Sequence, residues 1–131
     1  MKGNISIYMC YKENSVFLKE ENRDGYIVSA LMKKVWAVEL DLLSELDRVC
    51  KKYNIKYYAA FGTLLGAVRN KGFIPWDDDI DVCMLRDDYA KFKEVAKNEF
   101  GGKYYYQDWY NSCGRTWIFS KLRNSETTAI E

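Results

Sequence analysis

Between Val28 and Tyr53 apolar side chains return at steps of three and four residues: Val28, Leu31, Met32, Val35, Leu42, Leu43, Leu46, Val49, Cys50 and Tyr53. That spacing puts one continuous apolar stripe on a helix that starts near Ser29. The helix runs for roughly 24 residues, about 36 Å at 1.5 Å per residue. Lys51 and Lys52 fall in its last turn, where positive charge suits the helix dipole, and Asn54 can take the left-handed cap. In a chain of 131 residues such a helix belongs to a single domain with one core.

The segments that follow read as short strands and one more helix. Ile55–Phe61 (IKYYAAF) is expected as a buried strand broken by Gly62, and Ile80–Leu85 as a second strand. Asp87 is expected to cap a helix through Asn98 that ends at Gly101 and Gly102. Tyr104–Gln107 and Thr116–Leu122 read as two further strands joined by a turn at Asn111–Gly114. Helix, strand, strand, helix, strand, strand predicts a small α/β or α+β fold, a mixed sheet with flanking helices. Residues 1–27 form a polar, aperiodic N-terminal arm with a turn at Lys19–Gly25 and room for one strand at Ile5–Cys10, and residues 28–131 form the domain.

The sequence contains no His, which excludes Ser-His-Asp and Cys-His nucleophile pairs, an imidazole base and any His-containing zinc site. Carboxylates, Lys, Tyr, Cys or an oxygen-held metal must carry any reaction. With 20 basic and 19 acidic residues, net charge +1, no electrostatic excess points to nucleic acid or to an anionic membrane. Cys10, Cys50, Cys83 and Cys113 stand 30 or more residues apart, a spacing that suits neither a zinc knuckle nor a disulfide framework. The first residues lack the apolar core of a signal peptide, and no apolar run is long enough to span a membrane. A reduced, cytoplasmic protein is expected.

The informative stretch is Phe61–Val82, FGTLLGAVRNKGFIPWDDDIDV. Gly62 and Thr63 end a strand and lead into an apolar segment, where a Gly lets the backbone approach a ligand and a Thr adds a hydroxyl. Any tight turn can carry the same pair. Asp77, Asp78, Asp79 and Asp81 place four carboxylates in five residues, and Ile80 and Val82 alternate with the last of them. On a strand Asp79 and Asp81 would share a face about 7 Å apart. Charges at that separation repel by ~2 kcal/mol at an effective dielectric of 20. Burial beside aliphatic residues raises the cost, and a divalent cation with phosphate and water as its other ligands removes it. A solvated acidic turn is the alternative. A calcium loop fits poorly, because its sixth position is Val82 where Gly is needed and its twelfth is Asp88 where Glu is needed. Arg69 and Lys71, and the Lys121 and Arg123 pair, are candidates for phosphate oxygens or solvated cations.

The run GTLLGAVRNKGFIPWDDDIDVCMLRDDY closely resembles the signature of the LicD family, choline-phosphate transferases of bacterial surface glycans, which fukutin and fukutin-related proteins share. VCKKYNIKYYAAFGT before it and KLRNSETTAIE after it resemble the flanking segments, so the resemblance covers about residues 28–131. It implies a nucleotidyltransferase-type fold in which a Gly-Ser/Thr turn and an Asp-x-Asp strand hold metal and a phosphodonor. Gly62 and Thr63 would be that turn. Asp79 and Asp81 would be the catalytic metal pair, with Asp77 and Asp78 just outside it or in a second role, Asp77 as a further metal residue.

The resemblance also implies Mg²⁺ or Mn²⁺, a CDP-activated donor such as CDP-choline, and a glycan acceptor of lipopolysaccharide or teichoic acid type. In family members a third carboxylate comes from a later strand, and an IDIFP-like segment follows. Neither is evident before Glu131, so the domain is expected to be truncated at its C-terminus. Two other functions fit the residues: a non-catalytic remnant that binds metal or nucleotide or serves as an interaction module, and an enzyme that moves a nucleoside monophosphate to a small acceptor.

Overall fold

The computed structural model describes residues 16–111 and 118–127. In chain order its elements are β1 (Glu21–Arg23), β2 (Tyr26–Val28), α1 (Ala30–Lys52), β3 (Tyr58–Ala59), α2 (Phe61–Arg69), β4 (Val82–Cys83), α3 (Arg86–Glu99), β5 (Tyr104–Gln107) and β6 (Lys121–Asn124). The strands pair as three antiparallel two-stranded ribbons, β1 with β2, β3 with β4, and β5 with β6. The fold is α+β, as the order of elements in the sequence predicts. Among the described residues no helix is long and apolar enough to cross a membrane.

Helix α1 is the spine, and both its ends are built by side chains visible in the sequence. The Ser29 hydroxyl accepts the Met32 amide at 3.1 Å and satisfies one of the free donors of the first turn. At the other end Asn54 takes φ 51°. The Ile55 amide then reaches the Cys50 carbonyl at 2.8 Å and the Asn54 amide reaches that of Lys51 at 3.3 Å, the paired bonds of a Schellman cap. Ile55 is thereby turned back onto the core that Cys50 already faces.

That core lies under the C-terminal half of α1. Leu46, Val49 and Cys50 meet Ile55, Phe92 and Ala96 of α3, and Tyr106 of β5. Phe92 and Ala96 are one helical turn apart, and the Phe92 ring meets Tyr106 edge-on at 5.7 Å between centroids. Asp41, also buried, accepts Lys103 Nζ at 2.7 Å and the Tyr104 hydroxyl at 3.0 Å, tying the β5–β6 ribbon to the helix.

The N-terminal half of α1 carries a second packing unit. Trp36 is fully buried and stacks on Phe73 with centroids 4.7 Å apart and planes 6° from parallel. Arg23 of β1 lies 5.0 Å from the indole centroid and donates to the Phe73 carbonyl at 3.3 Å. Lys33 is buried and reaches Glu21 at 2.9 Å. The β1–β2 hairpin therefore clamps the segment that leads into the acidic run.

Several elements differ from the sequence expectation. The hairpin falls within the stretch read as a turn and an arm. Its Asp24 and Gly25 both have positive φ (52° and 85°), the geometry a two-residue hairpin turn requires. Strand β3 is only two residues, because Phe61 already opens α2 and Gly62 lies in the first turn of that helix. Strand β4 is likewise limited to Val82–Cys83, and Asp77–Asp81 runs in without regular secondary structure. Leu85, not Asp87, is the N-cap of α3. Asp87 and Asp88 instead occupy its first turn, where they complement the helix dipole. Strand β6 starts at Lys121, later than the expected strand. The expected strand at Ile5–Cys10 and most of the turn at Asn111–Gly114 lie outside the described residues.

Candidate active site

The acidic run is tacked down by three elements. From α1, the Trp36 indole Nε1 donates to the Asp77 carbonyl at 2.7 Å, and the half-buried Glu39, one turn further on, feels the charges of the same run. From α2, the Thr63 hydroxyl oxygen accepts the Asp81 amide at 2.8 Å. From the end of β3, the Ala60 amide donates to the Asp81 carbonyl at 3.0 Å. With the backbone held on that side, the side chains of Asp77, Asp78 and Asp79 are brought together. Each offers an oxygen within 4.8 Å of the others.

Two glycines of α2 let the helix come this close. A Cβ on Gly62 would stand 2.5 Å from Asp77 Oδ2. A Cβ on Gly66, four residues on and so on the same face, would stand 2.5 Å from the Gly72 carbonyl oxygen and 3.0 Å from the Ile74 amide nitrogen. The Asp77 carboxylate thus lies against the first turn of α2. Phe61, at the junction, has φ 45°, a left-handed conformation that is costly for a bulky side chain. The strand-Gly-Thr pair read from the sequence is here the contact between α2 and the acidic run, Gly62 through Asp77 and Thr63 through Asp81.

The electrostatics of the group are one-sided. The Asp77 carboxyl is raised above its ordinary pKa by burial and by Asp79 and Asp78, with a backbone amide opposing. Asp81 is raised by burial and by Asp79. Glu39, half-buried on α1, is pushed up to about 7 by burial first and then by Asp79, Asp78 and Asp81, against the pull of the Ile80 amide. Two unit charges 4.8 Å apart repel by about 1 kcal/mol in water and about 3 kcal/mol at an effective dielectric of 20. The side chains that chiefly influence Asp77, Asp81 and Glu39 are all carboxylates. Three converging carboxylate oxygens are a donor set that suits Mg²⁺ or Mn²⁺, so the residues present fit the cation.

The other candidate residues stand as follows. Asp81 flanks the three-oxygen group without belonging to it, and Asp78 belongs to it. Arg69 is in the last turn of α2, at the opposite end from Gly62, and its Nε donates to Asn70 at 3.0 Å. Lys71 donates to the Val68 carbonyl at 3.0 Å. Lys121 and Arg123 share one face of the β5–β6 ribbon, opposite Gln107 and Tyr105 in register. Sequence reasoning missed Trp36 and Glu39. Glu39 did leave a signal: it occupies the apolar stripe between Val35 and Leu42, at steps of four and three, where an aliphatic residue is expected.

Residues 54–131 match the family described as LicD/FKTN/FKRP, nucleotidyltransferase domain. Over 56 residues, 43% of this chain and 21% of the relative, the sequence is 54% identical to the lipopolysaccharide cholinephosphotransferase LicD of Haemophilus influenzae. It is 34% identical over 103 residues, 77% of this chain, to an uncharacterized protein of Rickettsia prowazekii, of which it covers 38%. A second uncharacterized protein, from Rickettsia typhi, is 36% identical over 75 residues, 56% of this chain and 24% of the relative. The chain therefore spans between a fifth and two-fifths of the length of these relatives. No solved structure matches. The acidic run, the α2 turn that holds it and the β5–β6 ribbon all fall inside the matched region, and on that match the chain belongs to the LicD/FKTN/FKRP nucleotidyltransferase-domain family.

Proposed function

We propose that this chain carries the cation- and phosphate-binding part of a transferase that moves a phosphorylated alcohol, of phosphocholine type, from a CDP-activated donor to a hydroxyl of a cell-surface glycan. The observation that carries the reading is the convergence of Asp77, Asp78 and Asp79, each with an oxygen within 4.8 Å of the others. The family and the 54% identity to a lipopolysaccharide cholinephosphotransferase support it. A nucleotide-activated donor puts the step in the cytoplasm.

Asp77, Asp78 and Asp79 would hold Mg²⁺ or Mn²⁺, which supplies charge neutralisation for a diphosphate. We assign Asp81 the acceptor's proton. The acceptor oxygen forms its bond to the phosphorus, the bond between that phosphorus and the bridging oxygen breaks, and CMP leaves with the electron pair. Arg69, Lys121 and Arg123 are assigned to phosphate oxygens of the donor.

The test is incubation of the full chain with CDP-choline, Mn²⁺ and a de-O-acylated lipopolysaccharide acceptor, with nucleotide products separated by chromatography. CMP release that requires Mn²⁺ and is lost in Asp79→Ala supports the reading. Pyrophosphate release from a nucleoside triphosphate, with none of CMP, replaces it with nucleotidyl transfer. Mn²⁺ binding with no turnover of either donor reduces the chain to a binding module.

A further inference from the structure

The carbonyl that accepts the Trp36 indole N–H at 2.7 Å belongs to the peptide unit between Asp77 and Asp78, two of the three residues whose carboxylate oxygens converge. That unit is planar and turns as one piece, so its rotation moves the Asp77 side chain against that of Asp78. The unit before Asp77 is held as well, because the Asp77 amide donates to the Ile74 carbonyl at 3.0 Å. Thr63 and Ala60 act only at the far end of the run, on Asp81.

The indole is itself held firmly. It is fully buried and stacked on Phe73 with centroids 4.7 Å apart, and Arg23 and Lys33 lie 5.0 and 5.1 Å from its ring, within cation–π range. Arg23 also donates to the Phe73 carbonyl at 3.3 Å, so the indole and the chain that enters the acidic run form one block. Trp36 comes from α1 and Arg23 from β1, both outside residues 54–131 that match the family.

We propose that Trp36 is a positioning residue for the cation site: its indole N–H fixes the Asp77–Asp78 peptide and so sets the two carboxylates against each other. The assignment rests on the reading of Asp77, Asp78 and Asp79 as the cation ligands. Trp36 touches no cation itself and orients the residues that do. Loss of such partners typically weakens metal affinity by about 10- to 100-fold.

The test uses the full chain, isotopically labelled. Benzothienylalanine in place of Trp36 puts sulfur where the N–H stood and keeps the ring and its stack, and Trp36→Phe removes the same donor. Val49→Ala, in the core under the other half of α1, lowers stability away from this contact and is the control. Isothermal titration with MnCl₂ reads the site. The Asp77 carbonyl ¹³C resonance in chelator reads the hydrogen bond without any metal. Both Trp36 replacements are expected to weaken Mn²⁺ binding by about tenfold or more and to move that resonance upfield, while Val49→Ala stays within about threefold of the parent. Unchanged Mn²⁺ affinity in the benzothienylalanine chain overturns the proposal, as does an equal loss in Val49→Ala, which would make affinity follow stability. If Trp36→Phe does not fold, the benzothienylalanine chain decides alone on the same thresholds. A parent chain that binds no Mn²⁺ defeats the reading of the aspartates as ligands, and the proposal with it. A parent that binds Mn²⁺, with affinity and resonance both unmoved by loss of the donor, defeats the proposal alone.

Discussion

The hydroxyl oxygen of Thr63 accepts the backbone amide of Asp81 at 2.8 Å. The bond joins the first turn of α2 to the end of the acidic run, across 18 residues of sequence. It links the two features that stand out in the sequence, the Gly-Thr pair and the aspartates, through a contact between the Thr63 side chain and the Asp81 backbone.

Thr63→Val keeps the shape and removes the acceptor, so the part-buried Asp81 amide loses its partner. An unsatisfied donor there costs about 1–2 kcal/mol, whereas Thr63→Ser stays within about 0.5 kcal/mol of the parent. Urea unfolding followed by circular dichroism checks this. Equal stability of the Val and Ser variants would remove the bond from the account of the fold.

The two glycines of α2 predict opposite outcomes for the same substitution. In Gly62→Ala the new Cβ meets Asp77 Oδ2, the mobile end of a side chain, so the fold yields by moving that carboxylate. Stability should change by less than about 1 kcal/mol, helped by the better helix propensity of Ala, while Mn²⁺ affinity falls about tenfold. In Gly66→Ala the Cβ meets the Gly72 carbonyl and the Ile74 amide, which are backbone and cannot swing aside. A loss of about 1–3 kcal/mol is expected from overpacking. Parallel urea unfolding and Mn²⁺ titration of both variants separate the two effects, and the reverse order would contradict the packing.

Helix α1 was legible in the sequence because a regular stripe, a Ser and an Asn specify its face and both ends locally. The acidic run was legible because charge at that density is costly wherever it is placed. What escaped was decided by contacts distant in sequence. Gly62 reads as a strand breaker when only its neighbours are considered. Its place inside a helix follows from how closely Asp77 approaches it. Asp24-Gly25 is a hairpin signal, but Glu21–Arg23 contains no β-branched or aromatic residue, and the strand there is held by Lys33 and the Phe73 carbonyl. Glu39 was hidden for another reason: a single carboxylate in an apolar stripe acquires meaning only once the residues opposite it are known.

Glu39 also predicts a pH dependence. Its carboxyl titrates at about 7 in the folded chain against an ordinary value of 4.5. Between those values the folded state holds a proton that the unfolded state has released. The contribution to stability is therefore complete below pH about 4.5, and is lost as pH rises to about 7. At about 1.4 kcal/mol per pKa unit the loss across that window is about 3 kcal/mol in chelator. Glu39→Gln cannot titrate, so the difference in unfolding free energy between parent and variant should shift by that amount between pH 4 and 7.5. A flat difference would contradict the crowding of Glu39 by Asp79, Asp78 and Asp81.

Asp79 is the first charge among the causes that raise Asp77, Asp81 and Glu39, and it is itself exposed. Removing it relieves repulsion at three other carboxylates and breaks no hydrogen bond that holds the run. Asp79→Ala should therefore be as stable as the parent in chelator, or slightly more so. In the parent, a cation at one hundred times its dissociation constant stabilises the folded state by about 2.7 kcal/mol, because it binds the folded state alone. In Asp79→Ala that gain should vanish, and Asp78→Ala, which removes the other exposed member of the group, should lose it as well. Thermal unfolding with and without Mn²⁺ reads both quantities at once. An equal Mn²⁺-induced rise in the midpoint for the parent and both variants would show that the cation binds elsewhere, and the aspartates would then be a solvated acidic turn.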